Sequence, residues 1–202
     1  HPYGHTVIGE MADLNAASVE DVHEWFKAYY GAANAVVVIA GDITSDEAYE
    51  KVLKNFGNIP AGPTIARPTT NIAKRTGNTR GEYQDRVTES RIVMAWNTPE
   101  WGNKENAALD LAASVLSSGK SSRLFKKLVY EKQICTSAQA FNGPSELGGT
   151  FGIIVNVKKG KTVEEVEAAV NEILEELLKN GPTEEELKRV KASYFAGFIK
   201  GL

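Results

Sequence analysis

Thiol chemistry is nearly absent from this chain, because Cys135 is its one cysteine. That excludes an intramolecular disulfide and any zinc site built on several cysteines. Histidine is also scarce: His1, His5 and His23 are the full set. No apolar run reaches the roughly eighteen residues that a membrane-spanning helix needs. No signal-peptide pattern is present. A charge excess is missing too, since 23 Lys and Arg against 26 Asp and Glu leave a net charge of −3. That balance argues against a nucleic-acid partner or an anionic membrane surface. The cluster Lys158–Lys161 is short enough to be a solvated turn.

What is present belongs to the globular class, with 42% hydrophobic and 24% charged residues over 202 positions. A domain of about 150 residues buries roughly 68–70% of its unfolded surface, so the larger part of this chain can hold a core. The order of elements almost repeats itself. Residues 18–56 read as helix, strand, helix, and residues 79–202 as two strand pairs with two helix pairs. The Pro/Thr-rich stretch Gly57–Thr70 continues neither pattern.

Ser18 starts a helix carrying Val22, Trp25, Phe26 and Tyr29 at helical spacing, and Gly31 stops it. Asn34–Ala40, wholly apolar after its first residue and rich in β-branched side chains, predicts a strand buried on both faces. Ser45 or Asp46 caps a helix running to Phe56. Beyond the linker, Gly81–Val87 and Arg91–Trp96 are expected as adjacent strands turning at Glu89-Ser90. A helix of small residues follows over Lys104–Ser117, then a second over Ser121–Lys132 with Leu124, Leu128 and Phe125 inward. Ile134–Phe141 and Thr150–Val157 form the second strand pair. Helices opening at Thr162 and Thr183 carry acidic first turns, where the macrodipole favours negative charge. Segregated runs of strands and helices predict an α+β layer, an antiparallel sheet with helices packed on one face.

No complete catalytic constellation is present, and no catalytic, cofactor-binding or metal-ligating residue is assigned. His1-x-x-x-His5 has the spacing of two ligands on one helical turn, but Pro2-Tyr3-Gly4 between them favours a surface turn. His23 has no Asp or Cys partner in sequence and is expected to face solvent. Gly119-Lys120-Ser121 resembles the end of a phosphate loop, yet Ser114 stands where the earlier glycine is required. It reads as a helix break with Ser121 as the next cap, although Ser121-Ser122-Arg123 could also hold an anion. Cys135, at a strand start, reads as core. Arg80 and Lys132-Gln133 read as surface, and the Glu164/Glu165 and Glu184–Glu186 carboxylates as helix-start charges.

Several segments together resemble the M16 zinc metallopeptidases, the pitrilysin/insulinase and mitochondrial-processing-peptidase group. They are His1-Pro-Tyr-Gly-His5-Thr-Val-Ile-Gly9, then Val22-His-Glu-Trp-Phe26 leading into Asn34–Asp42. The strongest is Leu116-Ser-Ser-Gly119-Lys-Ser121-Ser-Arg-Leu-Phe125 followed by Leu128–Lys132, and Phe195–Leu202 also matches. The resemblance implies a LuxS/MPP-like metallohydrolase architecture. On that footing, residues 1–60 are the C-terminal part of a first domain, 61–78 a linker, and 79–202 most of a second, "inactive" domain truncated at its C-terminus.

Family members bind one zinc through an H-x-x-E-H helix and a downstream Glu, the motif Glu activating the attacking water. No H-x-x-E-H occurs here. The resemblance places the zinc ligands and catalytic Glu upstream of residue 1, with zinc in the parent protein and none expected in this chain. The family's Arg/Tyr pair falls on Tyr130 and Ser137, both departures, so a complementary M16 domain or subunit is expected to supply it. Implied substrates are extended peptides bound at a sheet edge, and similar bacterial proteins suggest a periplasmic location. Two alternatives stay open: a non-catalytic M16 homologue serving as a scaffolding subunit, and a free-standing α+β binding module.

Overall fold

The computed structural model describes residues 1–69 and 72–201; Thr70 and Asn71 of the expected linker, and Leu202, lie outside the described residues. The chain separates into two compact units, His1–Pro68 and Thr69–Leu202.

The first unit holds α1 (Met11–Ala16), α2 (Val19–Tyr29), a 3-10 turn (Ala32–Asn34) and α3 (Ser45–Phe56). Ser18 and Asp21 cap α2 reciprocally: Asp21 N donates to Ser18 Oγ at 3.1 Å, and Ser18 N to Asp21 Oδ2 at 2.8 Å. The bond from the Ser18 backbone holds the Asp21 carboxyl below its ordinary range. α3 is capped one residue earlier than Ser45, because Thr44 and Glu47 form the same reciprocal pair at 3.3 and 3.1 Å. Gly31 lies against residues 61 and 62; a Cβ there would sit 2.4 Å from the Ala61 carbonyl oxygen, so only glycine fits. That approach lets Ala32 N and Ala33 N donate to Pro60 O and Ala61 O at 3.1 and 2.9 Å.

Asn34–Ala40 is not a strand. After the 3-10 turn it runs without a ladder partner, with Val36 90% and Val38 84% exposed. The run has the composition of a buried parallel strand, but such a strand exists only between neighbours. No strand occurs in this unit among the described residues.

The second unit is built on β1 (Arg91–Thr98), β2 (Cys135–Pro144) and β3 (Gly149–Val157), antiparallel in the order β1-β3-β2. α4 (Glu105–Ser117), a π-helix (Phe125–Glu131), α5 (Val163–Asn180) and α6 (Glu184–Lys200) complete it. Alternation sets the faces. Ile92, Met94, Ala138, Ala140, Phe151, Ile153, Val155 and Val157 point to one side, where they meet Leu116, Leu124, Leu128, Val166 and Val170 of the helical layer. The expected α+β architecture, helices on one face of an antiparallel sheet, is what the fold shows.

Two boundaries differ from expectation. Gly81–Val87 forms no strand: Tyr83 is 94% and Val87 65% exposed, too little burial to offset the entropy of ordering. Glu89-Ser90 is accordingly no hairpin turn, and Ser90 O instead accepts from Val157 N at 2.8 Å, prolonging the β1–β3 ladder. β2 runs on through Gly143 and Pro144, which an edge strand tolerates, and turns where Ser145 N donates to Gly148 O at 3.0 Å.

The helix expected from Ser121 begins at Ser122, which is fully buried and whose Oγ donates to Gly119 O at 2.7 Å. Ser122 O accepts the first intrahelical bond, from Lys126 N at 2.9 Å. The helix then widens into a π-turn and closes as a Schellman motif, Ile134 N reaching back to Leu128 O at 3.0 Å. Gln133 holds the left-handed position at φ 51°, where glycine is the usual residue. Gln133→Gly is therefore expected to raise stability by about 0.5–1 kcal/mol, read as a higher urea midpoint at unchanged slope.

Candidate functional site

All four helical segments of the second unit are gathered on the core side of the sheet or at the β2 edge, which leaves the opposite face without a helix, although Asn97 Nδ2 at one end donates to Ala73 O at 2.6 Å. Four cross-strand rows lie on that face, the last made by Asn97, Thr150 and Gly143. Arg91, Asn156 and Ser137 form a polar row: Arg91 Nε donates to Asn156 Oδ1 at 2.9 Å, and Asn156 Nδ2 to Ser137 Oγ at 2.9 Å. Val93, Ile154 and Gln139 form the second row, with Val93 62% exposed. In the third, the Phe141 ring lies over Gly152, where a Cβ would come within 2.3 Å of it. The face is thus partly apolar across its middle and polar at both ends.

A groove of about 440 Å³ runs beside this face, between α4 and the free edge of β2. Asp110, Ser114 and Ser117 line it from α4, Gln139, Phe141 and Asn142 from β2, and Tyr194 reaches it from α6. Ser117 Oγ bonds Ala140 O at 3.1 Å, which ties the helix to the strand edge. Deeper in, Asn142 Nδ2 donates to Asn106 Oδ1 at 3.2 Å and to Asp110 Oδ1 at 3.1 Å. Buried Asn106 in turn donates to Glu100 O at 2.6 Å. Asn142 Oδ1 is buried without a partner.

The residues weighed in the sequence are scattered through the fold. His1 and His5 sit on an exposed turn closed by Gly4 N to His1 O at 2.8 Å, and His23 is exposed on α2. Cys135 is buried, and burial, with Glu165 adding to it, pushes its thiol up to about 11. It is a packing residue, not a nucleophile. Arg80 makes a two-pronged contact with Glu167 at 2.6 and 2.7 Å on the surface. Tyr130 is 75% exposed on the π-helix, while Ser137 lies in the polar row. They are not brought together.

Arg123 does not offer its charge to an outside anion. Its Nε and Nη2 bond the two Glu186 oxygens at 2.7 Å each, and Nη2 also donates to Gly181 O at 3.0 Å. That guanidinium holds the Glu186 carboxyl down to about 2. Sequence reading missed the Asn106–Asp110–Asn142 cluster, since its only local signal is the four-residue spacing of Asn106 and Asp110 on α4.

No three His, Cys, Asp or Glu residues come together among the described residues to hold a metal ion. No helix of the described residues is long and apolar enough to cross a membrane.

Comparison with known proteins completes the picture. The zinc protease PqqE of Helicobacter pylori is 29% identical over 205 residues, covering 100% of this chain and 46% of the relative. A protease structure from Helicobacter pylori superposes with a TM-score of 0.85 at 28% identity, over 99% of this chain and 49% of that one. The fold also matches a peptidase M16 inactive domain from Pseudomonas fluorescens, with a TM-score of 0.79 at 23% identity over 96% of this chain and 47% of that one. The chain spans about half the length of the curated relatives it matches. The family description "Peptidase M16 inactive domain" matches residues 16–194, most of the sequence, and the chain belongs to that family.

Proposed function

We propose that this chain is the non-catalytic portion of a zinc-dependent M16 endopeptidase, and that it forms part of the wall of a chamber enclosing extended peptides. The observation that carries the reading is the helix-free sheet face with its flanking groove. The helices cover the other face, and this one leaves Val93 and Phe141 exposed beside the hydrogen-bonded row of Arg91, Asn156 and Ser137. Extended peptides suit such a surface, since backbone groups at a strand edge and alternating side chains meet matching partners. The protease names of the relatives support the same direction.

In this reading the zinc ligands and the catalytic Glu lie upstream of this chain, and zinc belongs to the parent protein. Tyr130 and Ser137 do not serve as the Arg/Tyr pair, which a complementary M16 domain or subunit supplies. The chain's own contribution is a rigid surface that holds substrate away from water.

A quenched-fluorescent peptide assay on the full-length parent protein, with its neighbouring M16 subunit added, tests this. Cleavage that disappears with chelator and returns with zinc is the expected result, while residues 1–202 alone remain inert. A parent that binds no zinc and cleaves nothing would replace the peptidase reading with a scaffolding one.

A further inference from the structure

β1 is an edge strand, because the sheet order is β1-β3-β2. Val157 N donates to Ser90 O at 2.8 Å, which fixes the alternation of the ladder. Ile92, Met94, Trp96 and Thr98 therefore turn their backbone groups toward β3, while Arg91, Val93, Ala95 and Asn97 turn theirs outward. Among the described residues no strand pairs with that side. An open row of this kind is a template for another chain, and folded proteins cover it or charge it.

Two contacts hold residues 73–80 on that side of the sheet. Asn97 Nδ2 donates to Ala73 O at 2.6 Å, and Arg80 Nη1 donates to both Glu167 oxygens at 2.7 and 2.6 Å. Glu167 stands in the second turn of α5, which packs against β1 and begins six residues after Val157, the partner of Ser90. The two tethers thus lie toward opposite ends of β1. Seven steps from Ala73 to Arg80 reach about 23 Å when extended, and six from Asn97 back to Arg91 span about 20 Å. The segment has the length and the antiparallel direction of a fourth strand, yet no ladder joins it to β1. It carries Lys74, Arg75 and Arg80, charges of the kind that deter a further strand.

The edge beneath is complementary to itself. About a dyad at Met94, two β1 strands pair antiparallel with Val93 opposite Ala95 of the second copy, and Arg91 opposite its Asn97. All four are outward-bonding positions, so the new hydrogen bonds fall where the free groups are. Apolar side chains meet at the middle, and each Arg91 meets a neutral amide instead of another cation.

We propose that residues 73–80 are a detachable guard on β1, latched by Arg80 and Glu167, and that the edge they guard is a self-pairing surface. Release of the latch lets two copies of the chain join through β1 into one continuous sheet. The inference rests on the second unit alone and is independent of the peptidase reading.

Sedimentation velocity on the intact chain over a concentration series tests it. An exposed ion pair is a modest latch, so Arg80→Ala and Glu167→Gln are each expected to tighten self-association about two- to fivefold over the wild type. Exchanging the charges, Arg80→Glu with Glu167→Arg, is expected to restore the wild-type value. Ala95→Pro removes an outward N–H and spares the bonds to β3, and it is expected to abolish the gain. Register is read separately, which keeps the decision open should the proline variant lose its fold. Oxidising a mixture of Val93→Cys and Ala95→Cys copies, both carrying Arg80→Ala, should cross-link one to the other, and neither to itself. Latch variants that associate no more than the wild type overturn the guard. Association that survives Ala95→Pro, or a mixture that gives no cross-link, overturns β1 as the surface and turns attention to the exposed run Val36–Ile39.

Discussion

Ile153→Ala is expected to destabilise the second unit by about 3–4 kcal/mol, the upper range for emptying a packed aliphatic site. Ile153 is 0% exposed at the middle of the central strand, with Met94 and Ala140 opposite it on the two neighbours. Leu116, Leu128 and Val170 belong to the same cluster on the helical side. Strand pairing on both sides keeps the backbone from collapsing into the space, so the cavity persists and its cost is added to the lost transfer energy. Urea unfolding followed by circular dichroism measures it. A loss under about 1 kcal/mol would mean that the helical layer repacks freely, contrary to the burial described.

Arg123→Ala should cost about 2–3 kcal/mol near neutral pH. That is less than the full penalty for orphaning a buried charge, because the Glu186 carboxylate keeps the bond donated by Thr183 N. Glu186 Oε2 accepts from Thr183 N at 2.8 Å while also meeting Arg123 Nη2, so one carboxylate caps α6 and ties it to the helix that begins at Ser122. The pH dependence has a definite sign. The folded carboxyl titrates at about 2 against an ordinary 4.5, so its stabilisation is present above about 4.5 and fades as pH falls toward 2. With both side chains partly wet, 13% and 20% exposed, solvent screening reduces that contribution to about 1–2 kcal/mol. Denaturation series from pH 5 to pH 2 should therefore show the wild type losing more stability than the alanine variant. Parallel pH profiles for the two proteins would exclude Glu186 as the acid-sensitive group.

The helix starts were legible because capping is local chemistry. Ser18 with Asp21, and Thr183 with Glu186, need only three residues of sequence to declare themselves. The sheet of the second unit was legible because alternation and turn residues agree within short windows. Asn34–Ala40 was misread for the opposite reason: its strand character depends on neighbours that composition cannot guarantee. Gly81–Val87 failed similarly, as an extended segment left with nothing to pair. The groove was invisible because Asp110 and Asn142 lie 32 positions apart and meet only when α4 settles against the β2 edge. Gln133 shows a third limit, since nothing in its composition signals a left-handed backbone.

The two units differ in burial, and that difference has a thermodynamic consequence. No described side chain of His1–Pro68 is buried, so α2 and α3 are held chiefly by their caps, short-range turns and an exposed aromatic cluster at Trp25, Phe26, Tyr29 and Tyr30. Helices of 11 and 12 residues without a core are marginal in water. The excess heat capacity on warming this chain should accordingly come from the second unit as one sharp endotherm, while the first unit contributes only a sloping baseline. Amide protons would divide the same way, those of α2 and α3 exchanging early and those of β3 surviving until global unfolding.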